Sequence, residues 1–124
     1  ARDDSPRAYF KGLNMLLNEQ QDKAIDAFIE AVQNDPDTTE LHFALGNLYA
    51  RQGRWNEAQQ AYFRAYTIDG ENPDYQFNLA VSLEQLRQPK LALQYYQGAL
   101  AAASQRPAAF DRNQVAGRVS ELQK

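Results

Sequence analysis

The residue types able to do chemistry are few and scattered. His42 is the single histidine and cysteine is absent, so neither a metal site built on His and Cys nor a Cys–His nucleophile pair can be assembled. Carboxylates are more plentiful, and Asp22, Asp26 and Glu30 recur at four-residue spacing. On a helix that spacing describes one solvated face rather than an acid–base pair. No glycine-rich phosphate loop, serine elbow or HExxH pattern occurs. The expectation is therefore a chain that is not an enzyme and holds no metal and no cofactor. The arginines are interspersed with acids and the formal net charge is -3, which lacks the concentrated basic stripe that phosphate neutralisation demands and argues against nucleic acid.

The elements that position these residues follow from an internal period. Gly12, Gly46 and Ala80 are spaced by 34 residues, as are Ala24, Ala58 and Ala92, and Ala31, Ala65 and Ala99. Large residues recur in their own phase, with Phe28, Tyr62 and Tyr96. Within the middle unit Leu41, Ala44, Leu45, Leu48 and Tyr49 follow helical spacing, Gln52-Gly53-Arg54 interrupts it, and a second helix runs from Trp55 through Ala58, Ala61, Tyr62, Ala65 and Ile68. Pro6, Pro73 and Pro89 suit first helical turns, where the missing N–H has no intrahelical partner. These signals predict helices at about 6–18, 22–34, 39–51, 55–68, 73–86, 89–104 and 107–122. Gly46 and Ala58 allow the two helices of one hairpin to approach closely. Phe28, Tyr62 and Tyr96 then fill the space between hairpins.

The middle unit reads His42-x2-Leu45-Gly46-x2-Tyr49, then Ala58-x3-Tyr62-x2-Ala65. This pattern resembles the tetratricopeptide repeat (TPR) family of 34-residue helix–turn–helix units. His42 stands where that family usually has Trp, and Gly70 where Pro is usual. The first unit has Lys11 at the usual Leu; the third has Ala80 for Gly and Ser104 for Pro. The resemblance implies an all-α fold, an α-solenoid of three TPR repeats (about 5–38, 39–72 and 73–106) in one domain, plus a C-terminal capping helix at about 107–122. A cap is expected because the last hairpin of a solenoid otherwise leaves an apolar face in water; the rival reading is a truncated fourth repeat. His42 is then read as an intra-repeat packing contact.

The same resemblance places partner-contacting side chains on the concave face of the first helices, at Tyr9, Leu13, Leu16 and Leu17, at Phe43, Asn47 and Arg51, and at Phe77, Val81 and Gln85. Tyr9, Phe43 and Phe77 would form an aromatic ladder, the core phases being filled by other residues; the competing reading makes Phe43 and Phe77 mostly buried packing residues. The carboxylate clamp of some family members is missing, since Tyr9, Leu13, Ala44, Asp74 and Asn78 stand at its phases, and Asp74 would repel a terminal carboxylate. The implied function is a non-catalytic module whose groove holds a partner peptide or helix of apolar or amphipathic character. The alternative is a structural scaffold that self-associates. Gly12 through Gln20, and Pro73 through Leu83, resemble repeats of bacterial envelope-assembly proteins: the lipopolysaccharide-assembly regulator and the pilus-biogenesis and secretion accessory proteins. No apolar run approaches the ~20 residues that span a bilayer, and Ala1–Pro6 has no signal-peptide core. The opening without Met fits a piece of a longer protein, with any membrane anchor expected outside it.

Overall fold

The computed structural model describes residues 6–124, with side chains at Leu13 and from Leu17 onward. Among the described residues there are six α-helices and no strand: α1 Pro6–Asn34, α2 Thr39–Arg51, α3 Trp55–Ile68, α4 Pro73–Gln85, α5 Pro89–Ala103 and α6 Arg112–Leu122. α2 pairs with α3, and α4 with α5, as two closed hairpins; α3 packs on α4, α1 on α2, and α6 on α5.

The hairpins close by the small-against-large rule. Gly46 lies on the ring of Tyr62, so closely that a Cβ there would fall 2.6 Å from Cε1. Ala58, Ala65, Ala92 and Ala99 are fully buried, and Tyr62 and Tyr96 nearly so. Each buried tyrosine removes on the order of 150–250 Å² from water, and each closed hairpin buries two, Tyr49 with Tyr62 and Tyr75 with Tyr96. Leu45, Tyr49, Leu79, Leu83 and Val115 complete the core. The turns take two forms. Gly53 sits in the left-handed region at φ 71°, which glycine adopts without steric cost. Arg87 adopts φ 61° in the same place, and Pro89 two residues on fixes the start of α5.

Two expectations are corrected. The helices expected at 6–18 and 22–34 are one continuous helix, so the first repeat is not a closed hairpin. Its joint, Asn18-Glu19-Gln20-Gln21, carries neither the glycine of the second repeat nor the proline of the third. It consists mostly of good helix formers, and Lys23 pairs with Glu19 across it at 3.5 Å. The last helix begins at Arg112 rather than near residue 107. Here Asp111 caps the helix by accepting from the backbone N–H groups of Asn113 and Gln114 at 2.8 and 3.3 Å. Upstream, Arg106 forks onto both carboxylate oxygens of Asp69 at 2.9 and 3.1 Å, and the Ala109 N–H donates to Asp74 Oδ1 at 2.9 Å. These tertiary bonds hold 106–110 as a bent, non-helical segment against the hairpin.

Candidate recognition surface

The face assigned to partner contact is built from α2 and α4, with α1 leading into it. Phe43 is half-buried, its ring 5.0 Å from that of Tyr75 and 5.7 Å from that of Tyr62. Phe77 repeats the arrangement one unit on, at 6.0 Å from Tyr96 and stacked 4.9 Å from Phe110. The reading that left these aromatics without an internal role is therefore corrected: Phe43 joins its hairpin to α4, and Phe77 joins its own to the segment that leads into α6. Only part of each ring remains available to a guest. Tyr9 and Leu16 have side chains outside the described residues, whereas Leu13 and Leu17 are exposed, at 39% and 46%.

Asn47 is held by the core. Tyr62 Oη donates to Asn47 Oδ1 at 2.6 Å, which fixes the amide and turns its N–H₂ away from that bond. Burial pushes the Tyr62 phenol up to about 12, and the nearby Arg51 guanidinium pulls weakly the other way; Tyr62 is consequently a neutral donor at ordinary pH. Arg51 itself is exposed at the C-terminal end of α2, where a cation also suits the helix dipole. Val81 is half-buried and Gln85 exposed. The surface thus offers donors from Asn47 and Arg51 beside partly covered apolar groups.

Towards the C-terminus this face is already occupied by the chain itself. Asp74 holds the Ala109 amide, Phe77 holds the Phe110 ring, and Glu84 receives Arg118. Arg118 Nε donates to Glu84 Oε1 at 2.9 Å, and Tyr96 Oη donates to the same oxygen at 2.8 Å. Arg118 and Tyr96 together, with Arg118 the larger influence, hold the Glu84 carboxyl below its ordinary value despite partial burial. Sequence reasoning missed this network, although Glu84 and Arg118 are one repeat apart, at a separation of 34. A search for opposite charges in equal phases would have found it. A cleft bounded by Phe77, Tyr96, Phe110, Gln114, Val115 and Arg118 lies at this junction.

His42 is buried, and its Nε2 donates to the Pro36 carbonyl at 2.7 Å. This ties α2 to the loop that ends the first repeat, a contact between repeats rather than the intra-repeat one expected of it. Among the described residues no group of three His, Cys, Asp or Glu is arranged to hold a metal ion. No described helix is long and apolar enough to cross a membrane. On α3 Phe63 is exposed beside Tyr66, whose ring meets that of Tyr95 on α5 edge-on at 5.3 Å.

Comparison with known proteins agrees with this architecture. The sequence profile described as tetratricopeptide repeat matches residues 18–73 and 68–107. Lipopolysaccharide assembly protein B of Escherichia coli K12 is 44% identical over 52 residues, which are 42% of this chain and 13% of that protein. The chain therefore spans only a small part of that relative. Among solved structures, PcrH of Pseudomonas aeruginosa in complex with the chaperone binding region of PopD superposes with a TM-score of 0.76 at 21% identity, covering 98% of this chain and 96% of that one. The type III secretion chaperone SycD of Yersinia enterocolitica, in complex with a peptide of the translocator YopD, also gives 0.76, at 18% identity and 99% and 95% coverage. The second TPR domain of human RPAP3 in complex with an HSP70 peptide gives 0.71, at 16% identity and 94% and 92% coverage.

Proposed function

Because the chain belongs to the tetratricopeptide repeat family, we propose that it works as a non-catalytic protein-interaction module whose first-helix face holds a segment of a partner protein. The supporting observation is the way that face receives the chain's own C-terminal segment. It takes a backbone N–H at Asp74, an aromatic ring at Phe77 and a guanidinium at Glu84, the three kinds of contact that a bound polypeptide supplies. On α2, Phe43, Asn47 and Arg51 provide the corresponding stretch for a guest, together with Val81 and Gln85 of α4 and with Leu13 and Leu17 of α1 at its approach. Their apolar area with two donors fits an amphipathic segment, helical or extended. The solved relatives that carry peptides from other proteins support the same general mode.

The local match to lipopolysaccharide assembly protein B supports seeking that partner among proteins of bacterial envelope assembly. Binding of a free C-terminal carboxylate is disfavoured, since Asp74 stands where a cation would be required.

The test is capture by the immobilised chain from bacterial envelope extract, comparing three proteins. A groove variant combining Val81→Lys with Gln85→Glu should lose the captured partner. A variant of the outer face, Phe63→Lys, should retain it. Equal capture by the groove variant and the native chain, with loss in Phe63→Lys, would move the binding site to the other face.

A further inference from the structure

Outside α1, Phe63, Ile68 and Leu91 are the large apolar side chains that stand exposed among the described residues, and Phe63 and Leu91 border one furrow between α3 and α5. The Tyr66 ring spans it, 6.1 Å from Phe63 and edge-on to Tyr95 at 5.3 Å. Phe63 lies one helical turn before Tyr66 on α3, and Leu91 one turn before Tyr95 on α5, so both stand on the same side of the tyrosine pair. On the other side, one and two turns further along that face, α5 presents only Gly98 and Ala102. There the furrow opens into a cleft of about 600 Å³, walled by Gly70, Glu71, Gln105 and Arg106. Gln76 lines it, held by a bond from its Nε2 to the Gly70 carbonyl at 3.0 Å, and its Oε1 takes the space of any Cβ at residue 98. The side chains bordering the furrow, Asn56, Gln59, Thr67 and Gln94, carry no charge. The charged residues of α3 are engaged away from it, Glu57 with Arg54 and Arg64 with Asp37.

We propose that a second copy of this chain docks on the furrow, the two copies related by a two-fold axis that crosses it at the Tyr66 and Tyr95 rings. Such an axis reverses the furrow's direction, laying the bulky end of each copy over the open end of the other. At the helical rise Leu91 lies about 6 Å before Tyr95, and Gly98 and Ala102 lie about 4.5 and about 10.5 Å beyond it. Leu91 of one copy therefore falls between the two small residues of the other, and Phe63 falls at the mouth of the cleft. A parallel arrangement would set bulk on bulk and leave both clefts empty. Charge favours the same alignment. Lys90 is exposed at the Leu91 end and Glu71 at the cleft end, while Arg106 is neutralised by its fork onto Asp69. Reversal sets opposite charges over each other, and a parallel alignment sets like over like. The uncharged border raises no repulsion when the face meets its own copy. The pairing stands independently of whether the first-helix face takes a guest, because α3 and α5 carry none of the residues assigned to that face.

Analytical ultracentrifugation of the whole chain across a concentration series tests this. The expected result is a reversible dimer of the 14.1 kDa chain. Leu91→Glu buries an unpaired carboxylate in the contact and should raise the dimer dissociation constant about tenfold or more, with helical circular dichroism retained because Leu91 is exposed in the single chain. Lys90→Glu should raise it about threefold or more, and adding Glu71→Lys should restore the native value, a rescue that only the reversed alignment gives. Because the chain has no cysteine, Gln94→Cys beside the axis gives a second readout: it should crosslink into dimers on mild oxidation, whereas Ser120→Cys on α6 should not. A monomer at every concentration would overturn the proposal, and loss of the captured partner in Leu91→Glu would then assign the furrow to another protein. A dimer that Leu91→Glu leaves intact, or one in which exchanging the two charges restores nothing, would overturn it as well.

Discussion

Replacing Gly46 by alanine tests the packing rule at its tightest point. By helix propensity alone the change should stabilise, since glycine inside a helix costs roughly 1 kcal/mol relative to alanine. Tertiary packing opposes it. The added Cβ would lie 2.6, 2.7 and 3.1 Å from Tyr62 Cε1, Cδ1 and Cγ, about 1 Å inside ordinary carbon contact. The ring cannot yield freely, because it is 2% exposed and its hydroxyl is bonded to Asn47. Overpacking of this kind costs about 1–3 kcal/mol, so a net loss of about 1 kcal/mol is expected, lowering Tm by about 4 °C in a domain of this size. Gly117 provides the control, since it lies within α6 and nothing stands within 4 Å of a Cβ built there. Gly117→Ala should therefore stabilise by ~0.5–1 kcal/mol. Thermal and urea unfolding of both variants by circular dichroism decide the matter. If Gly46→Ala proved as stabilising as Gly117→Ala, the close helix approach described for the second hairpin would be wrong.

Phe77→Ala removes a ring stacked on Phe110 and tilted on Tyr96, and should cost about 1–3 kcal/mol in chemical unfolding, below the full cost of a core phenylalanine because the ring is half-buried; an unchanged midpoint would return Phe77 to the status of a free groove residue. Glu84 has a folded-state carboxyl pKa below its ordinary 4.5, so its contribution is complete above that value and disappears as pH falls through the lowered one. The protection factor of the Val115 amide should accordingly fall in acid as α6 loosens, and Glu84→Gln should bring the same fall at neutral pH. The Tyr62 phenol is raised to about 12 from 10.0, so the stability it supports is intact below 10.0 and is lost as pH climbs towards the raised value; Tyr62→Phe should flatten the alkaline decline in Tm, at a cost of about 1 kcal/mol at neutral pH from the bond to Asn47.

By itself the sequence determined the helical repeat, because the period was written in residues whose role is local and redundant. Gly46, Ala58, Ala65 and Tyr62 recur in equivalent phases one repeat away, and Gly53 and Pro89 mark turns that backbone sterics impose whatever surrounds them. The observed starts of α2, α3, α4 and α5 fall where those signals put them. Asn47 and Arg51 could likewise be assigned to α2 from their phase alone. Tertiary structure decided the rest, since it turned on contacts between distant residues. The Asp69–Arg106 and Asp74–Ala109 bonds delay α6, while the Phe110 ring and Arg118 cover Phe77 and Glu84 and so shorten the free face. The first repeat separates the two levels most clearly. Its small and large residues ask for a hairpin partner, its joint has neither the glycine of the second repeat nor the proline that follows Arg87 in the third, and a continuous α1 results because continuing the helix satisfies the backbone at once.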